Sequence, residues 1–92
     1  MHETGIVRDL VRRIEIAARD AGARRVVGAT VWLGALSQFS AAHFREHFDD
    51  ESRGTLAANA RLDIELSSDV RHPNAQSVVM QSLELDLPDG QD

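Results

Sequence analysis

No cysteine and no tyrosine occur among the 92 residues, and aromatics amount to 4% of the chain: Trp32, Phe39, Phe44 and Phe48. Without thiols there is no disulfide, zinc ribbon, iron–sulfur cluster or thiol nucleophile. Any metal must then be held by histidine nitrogen, carboxylate oxygen or the backbone. With so few aromatic rings, the core has to be built mainly from Val, Leu, Ile and Ala. Positive charge is scarce too: ten basic against fifteen acidic residues give a net charge of −5. That balance argues against nonspecific nucleic-acid binding, which needs a basic surface to displace counterions. No apolar run approaches the roughly 18 residues of a membrane span. The start Met1-His2-Glu3-Thr4 lacks the basic and apolar segments of a secretion signal, so a cytoplasmic protein is expected. A chain this short buries only about 60% of its unfolded surface, which excludes a two-domain enzyme with a deep cleft.

What is present reads as five elements. In residues 5–21, Ile6, Val7, Leu10, Val11, Ile14, Ala17, Ala18 and Ala21 recur at three- and four-residue steps, with charged residues opposite. This predicts an amphipathic helix capped by Thr4 and ended by Gly22. Residues 24–36 are rich in β-branched side chains, with Val27, Ala29, Val31 and Leu33 on one face and Val26, Gly28, Thr30 and Trp32 on the other. Two apolar faces place this strand inside a sheet or partly under a partner. Ser40 followed by AAHFREHFDDES predicts a second helix with a single apolar ridge, Phe44 and Phe48, broken at Arg53-Gly54-Thr55.

Residues 60–67 alternate strictly, with Leu62, Ile64 and Leu66 inward. Residues 77–87 form a last strand in which Val78 and Met80 have the opposite parity to Leu83, Leu85 and Leu87. This mismatch calls for a bulge near Gln81 or a second apolar patch. The intervening SSDVRHPNAQ, residues 67–76, has the length of a loose hairpin connection, and the tail 89–92 is polar and acidic. The expected fold class is α+β: a two-layer sandwich of two helices on one face of a small three-stranded sheet, in the order α-β-α-β-β. So small a sheet is also compatible with a homodimer.

Chemistry has few candidates. A histidine at position two, beside a free amine, assembles the Met1 amino nitrogen, the His2 imidazole and the His2 and Glu3 amides within a few atoms. Four such nitrogens in a plane suit Ni(II) or Cu(II) and suit Zn(II) poorly. The same residues also fit an ordinary chain end whose second residue happens to be histidine. His43 and His47, spaced i, i+4, fall on one helical face and could clamp a metal. The rest of the zinc-protease pattern is missing, and a solvated pair, or rings resting beside Phe44 and Phe48, fits better. Replacing both is then expected to leave nickel stoichiometry unchanged. His72 is a lone turn histidine. Ser37 and Ser40 lack a base, the carboxylates are scattered, and no glycine-rich phosphate loop exists, so no catalytic residue is expected.

Several segments in collinear order carry a family resemblance: Met1-His2-Glu3, Gly22 to Val26, Gly34-Ala35-Leu36-Ser37, Arg53 to Ala57, Ala60 to Glu65, and Ser82 to Leu85. Across residues 1–67 and 78–87 the chain resembles the hydrogenase nickel-incorporation family, the HypA/HybF metallochaperones. The resemblance implies a single nickel-binding domain over residues 1–88 and Ni(II) bound through Met1, His2 and Glu3. The His2 imidazole, the Met1 amine and the His2 and Glu3 amides would be the ligands, with the Glu3 carboxylate as a tuning or transfer group. It implies a GTPase transfer partner and a hydrogenase large subunit as recipient, sometimes with urease served as well. The sequence departs from the family where a zinc domain with two Cys-x-x-Cys pairs normally stands, since residues 67–76 contain no thiol and no zinc is expected. Glu46, Asp50 and Glu51 also stand where the family tends to be apolar. These departures keep a second reading open: a metal-independent adaptor or regulatory subunit on the same fold.

Overall fold

The computed structural model describes residues 3–88. Helix α1 runs Glu3–Asp20, strand β1 Arg25–Leu33, helix α2 Ala41–Ser52, strand β2 Arg61–Leu66 and strand β3 Val78–Asp86. The expected α+β architecture is present: two helices and a three-stranded mixed sheet. The tail at 89–92 lies outside the described residues.

Helix α1 buries Val7, Leu10, Val11, Ile14 and Ala18, while Ala17 and Ala21, read as part of the stripe, are exposed. Because α1 already begins at Glu3, Thr4 lies inside its first turn and the cap position falls outside the described residues. The other end behaves as its sequence predicts. Gly22 takes φ +76°, its N–H donates to the Arg19 carbonyl, and the Ala23 N–H donates to the Ala18 carbonyl. That is the Schellman closure, which requires a left-handed residue where glycine stands.

Strand β1 is central: β2 pairs with it in parallel and β3 antiparallel, in the order β2-β1-β3. The connection 67–77 is therefore not a hairpin loop, because it carries the chain from one edge of the sheet to the other. The reason lies in β1, whose two apolar faces and two free edges accept β2 through the α2 crossover and β3 on the opposite side.

Two bulges reconcile the side-chain parity. Gln81 is skipped between the pairs Thr30↔Ser82 and Val31↔Met80, so Val78, Met80, Leu83 and Leu85 all pack against the core. The bulge expected near Gln81 is there. A second one falls at Val27, between Val26↔Leu85 and Gly28↔Glu84. It turns Val26 into the core at 0% exposure beside Ala29, Val31 and Leu33 and leaves Val27, read from strict alternation as their face-mate, half-buried.

The strand ends at Leu33, short of the expected residue 36, because Gly34 turns into a loop against residues 74–77. The Gly34 N–H donates to the Ser77 carbonyl at 2.9 Å and the Leu36 N–H to the Ala75 carbonyl at 2.7 Å.

Helix α2 starts where expected: the Ser40 hydroxyl accepts the His43 N–H at 3.1 Å. Phe44 and Phe48 are 0% and 1% exposed, and Ser52 extends their ridge. Burying two phenylalanines is worth about 3–6 kcal/mol, which explains how so polar a helix docks at all. Arg8 reaches Glu51 at 3.4 Å, tying the first half of α1 to the end of α2. Among the described residues no helix is long and apolar enough to cross a membrane.

Candidate metal centre

Met1 and His2 lie outside the described residues, and of Glu3 only the backbone is described. That backbone is informative. Glu3 is the first residue of α1, so its amide is one of the N–H groups at a helix start that have no acceptor one turn earlier. An amide without a helical acceptor is open to metal coordination after losing its proton. The helix behind it is held by the buried residues Val7, Leu10, Val11 and Ile14. From Glu3 onward the backbone thus belongs to a fixed helix.

The structure brings His43 and His47 together. Their Nε2 atoms lie 3.0 Å apart and the ring centroids 4.6 Å, on successive turns of α2. The ring beside His43 is Phe39, at 6.1 Å, and not Phe44 or Phe48, which face the core. No group of three or more His, Cys, Asp or Glu residues able to hold a metal exists among the described residues.

His72 has a structural role. Its ring sits 4.8 Å from Trp32, and its Nδ1 accepts the Asn74 N–H at 2.9 Å. Ser37 and Ser40 are both used as acceptors for backbone amides, of Phe39 and His43 respectively. Neither is set up as a nucleophile.

Sequence reading missed two anchoring residues. Glu15, outwardly just another charge on α1, accepts the Leu56 N–H at 3.2 Å through Oε2. The Leu56 carbonyl in turn accepts the Val26 N–H at 2.8 Å, so Glu15 fixes the segment that leads from α2 to β2. Arg61 spans the outer face of the sheet, donating to Asp63 at 3.0 Å and to Glu84 at 2.7 Å. Its guanidinium covers Gly28, which is how a strand face with little side chain of its own becomes buried. The hydrogen bonds to Glu84 and then Asp63 hold the Arg61 pKa above its ordinary value. For Glu15, the available signal was a carboxylate adjoining the apolar stripe; nothing local marks its distant amide partner.

Residues 1–73 match the model of the family described as hydrogenase/urease nickel incorporation, metallochaperone, HypA. The chain belongs to the HypA family. It is 45% identical over 65 residues to the hydrogenase maturation factor HypA of Geotalea daltonii, covering 71% of this chain and 56% of that protein. It is 36% identical over 66 residues to the hydrogenase maturation factor HypA of Methylocella silvestris, covering 72% of this chain and 58% of the relative. The chain thus spans a little over half the length of these curated relatives. The fold is similar to the solution structure of the Ni metallochaperone HypA from Helicobacter pylori, with a TM-score of 0.78 at 18% identity, covering 96% of this chain and 100% of that one. A second solution structure of a HypA protein has a TM-score of 0.72 at 22% identity, covering 92% and 96%. At these identities the structural likeness concerns the fold.

Proposed function

We propose that this chain is a nickel-binding accessory protein, a metallochaperone and not an enzyme, for maturation of a nickel enzyme such as a [NiFe]-hydrogenase. It takes Ni(II) through Met1, His2 and Glu3. The observation that carries this reading is the family match, which begins at residue 1 and so includes the Met-His-Glu segment in place. The helix start at Glu3 supports it, since the Glu3 amide lacks a helical acceptor. The Met1 amine, the His2 ring and the His2 and Glu3 amides form a square of nitrogens, the arrangement Ni(II) favours and tetrahedral Zn(II) does not. Nickel is the cargo. It passes to a GTPase partner and then to the enzyme's large subunit, in the cytoplasm.

Residues 67–76 stand in place of a zinc domain in this reading, and no zinc is bound. In support, this connection has no thiol and is closed by its own hydrogen bonds, among them Ala75 N–H to the His72 carbonyl at 3.0 Å.

The test is a nickel titration of the untagged protein beside His2→Ala and a variant with residues added before Met1. The parent should show the visible d–d absorption of square-planar nickel, and both variants should lose it together with the tight phase of binding. Equal affinity and equal spectra in all three would overturn the assignment. A complex with a maturation partner that forms without metal and is indifferent to His2→Ala would instead mark the chain as an adaptor.

A further inference from the structure

The His43–His47 pair has a geometry that spacing alone did not disclose. Two metal–nitrogen bonds of about 2.05 Å place their nitrogens about 2.9 Å apart when they meet at a right angle, and about 3.4 Å apart at the tetrahedral angle. The two Nε2 atoms are hydrogen-bonded at 3.0 Å, and an ion held between them at that same separation would have a bite of about 94°. We infer that His43 and His47 form a second, open metal site, a two-nitrogen clamp for a divalent cation of square or octahedral preference, Ni(II) or Cu(II).

Three features favour this occupant. The clamp stands on a helix that is capped by Ser40 and seated by Phe44 and Phe48, so the two rings are presented from a fixed backbone. Both histidines are only partly buried, so a hydrated ion can reach them. No group of three or more His, Cys, Asp or Glu able to close a cage occurs among the described residues. A closed tetrahedral set would mark a structural zinc site; an open set with a near-right-angle bite fits a labile ion of the other class. The proton count is simple. In the neutral pair one Nε2–H donates to the other Nε2, and metal binding moves that proton to the donor ring's own Nδ1, leaving both Nε2 lone pairs for the ion. This inference predicts the opposite of the expectation that replacing both histidines leaves nickel stoichiometry unchanged.

The experiment uses the full chain, untagged, in a His2→Ala background, so that the amino-terminal site is removed first. Equilibrium dialysis against Ni(II) alone and Cu(II) alone should give one ion per chain for His2→Ala and none when His43→Ala and His47→Ala are added. His47→Ala by itself should weaken binding at least about tenfold, since the second ligand's high effective concentration is lost. Alanine on the outward face of a helix favours folding, and circular dichroism of each variant checks it. Nickel held here should be high-spin and octahedral, without the square-planar band. Identical isotherms for the His2→Ala protein and its triple variant would overturn the inference, as would the absence of binding to His2→Ala. Failure of the amino-terminal assignment reads out separately, in the comparison of parent with His2→Ala while both helix histidines are intact.

Discussion

Gly34→Ala and Gly28→Ala are the same chemical change in adjoining parts of one chain, yet they should differ severalfold in effect. At Gly34 an added Cβ would overlap the Ala75 carbonyl, a backbone group. That carbonyl has no room to retreat. It accepts the Leu36 N–H at 2.7 Å, while the Gly34 N–H donates to Ser77 at 2.9 Å, and Ala75 itself is 5% exposed. Overpacking of this kind costs about 1–3 kcal/mol, and loss of one of the two backbone hydrogen bonds adds about 1 kcal/mol. Restricting the unfolded chain returns about 0.5–1 kcal/mol. The net loss is about 1–3.5 kcal/mol, or a drop in Tm of about 5–25 °C for a domain this small. At Gly28 the Cβ would come within 2.6 Å of Arg61 Nη2, the far end of a flexible side chain. Arg61 and its carboxylate partners are more than half exposed, so its ion pairs can shift with little loss. Gly28→Ala should therefore fall within about 1 kcal/mol of the parent. Urea unfolding followed by circular dichroism measures both. Equal midpoints for the two variants, or a stable Gly34→Ala, would refute the close approach of the 34–37 and 74–77 loops.

Two further outcomes are expected. Glu15→Ala removes the acceptor for a part-buried amide and should cost about 1–2 kcal/mol in urea unfolding, whereas a loss below about 0.5 kcal/mol would mean that Leu56 finds another partner. Arg61 has its pKa raised in the folded state, so its contribution is complete at any pH below the ordinary guanidinium range and is lost only as pH rises through the raised value. The Tm difference between the parent and Arg61→Gln should accordingly be the same at pH 7 and pH 9, and a gap that closes by pH 9 would contradict the raised value.

The elements were legible because their signals are local. The stripe Val7, Leu10, Val11, Ile14 and Ala18, the Gly22 stop and the Ser40 cap each depend on neighbours within one or two turns. The bulge near Gln81 could also be read, since an apolar strand that changes parity has to restore it somewhere. The bulge at Val27 could not, because Val26 and Val27 are equally apolar and either could face inward. Likewise, nothing in SSDVRHPNAQ distinguishes a hairpin from a crossing. That depends on which edge of β1 the earlier strand has taken.

The candidate metal chemistry divides along the same line. Histidine in second place is a property of covalent neighbours, so Met1, His2 and Glu3 could be read from the sequence as the proposed nickel ligands, and the lack of cysteine leaves this chain no thiolate to offer. Spacing alone put His43 and His47 on one face of a helix. Their 3.0 Å separation is a side-chain geometry, with the Phe39 ring beside His43, that spacing alone does not give. Composition and short-range pattern determined what the segments are and which donors the chain can offer. The folded structure decided which strands meet and which of two equivalent valines turns inward, because those outcomes are set by contacts between residues remote in sequence.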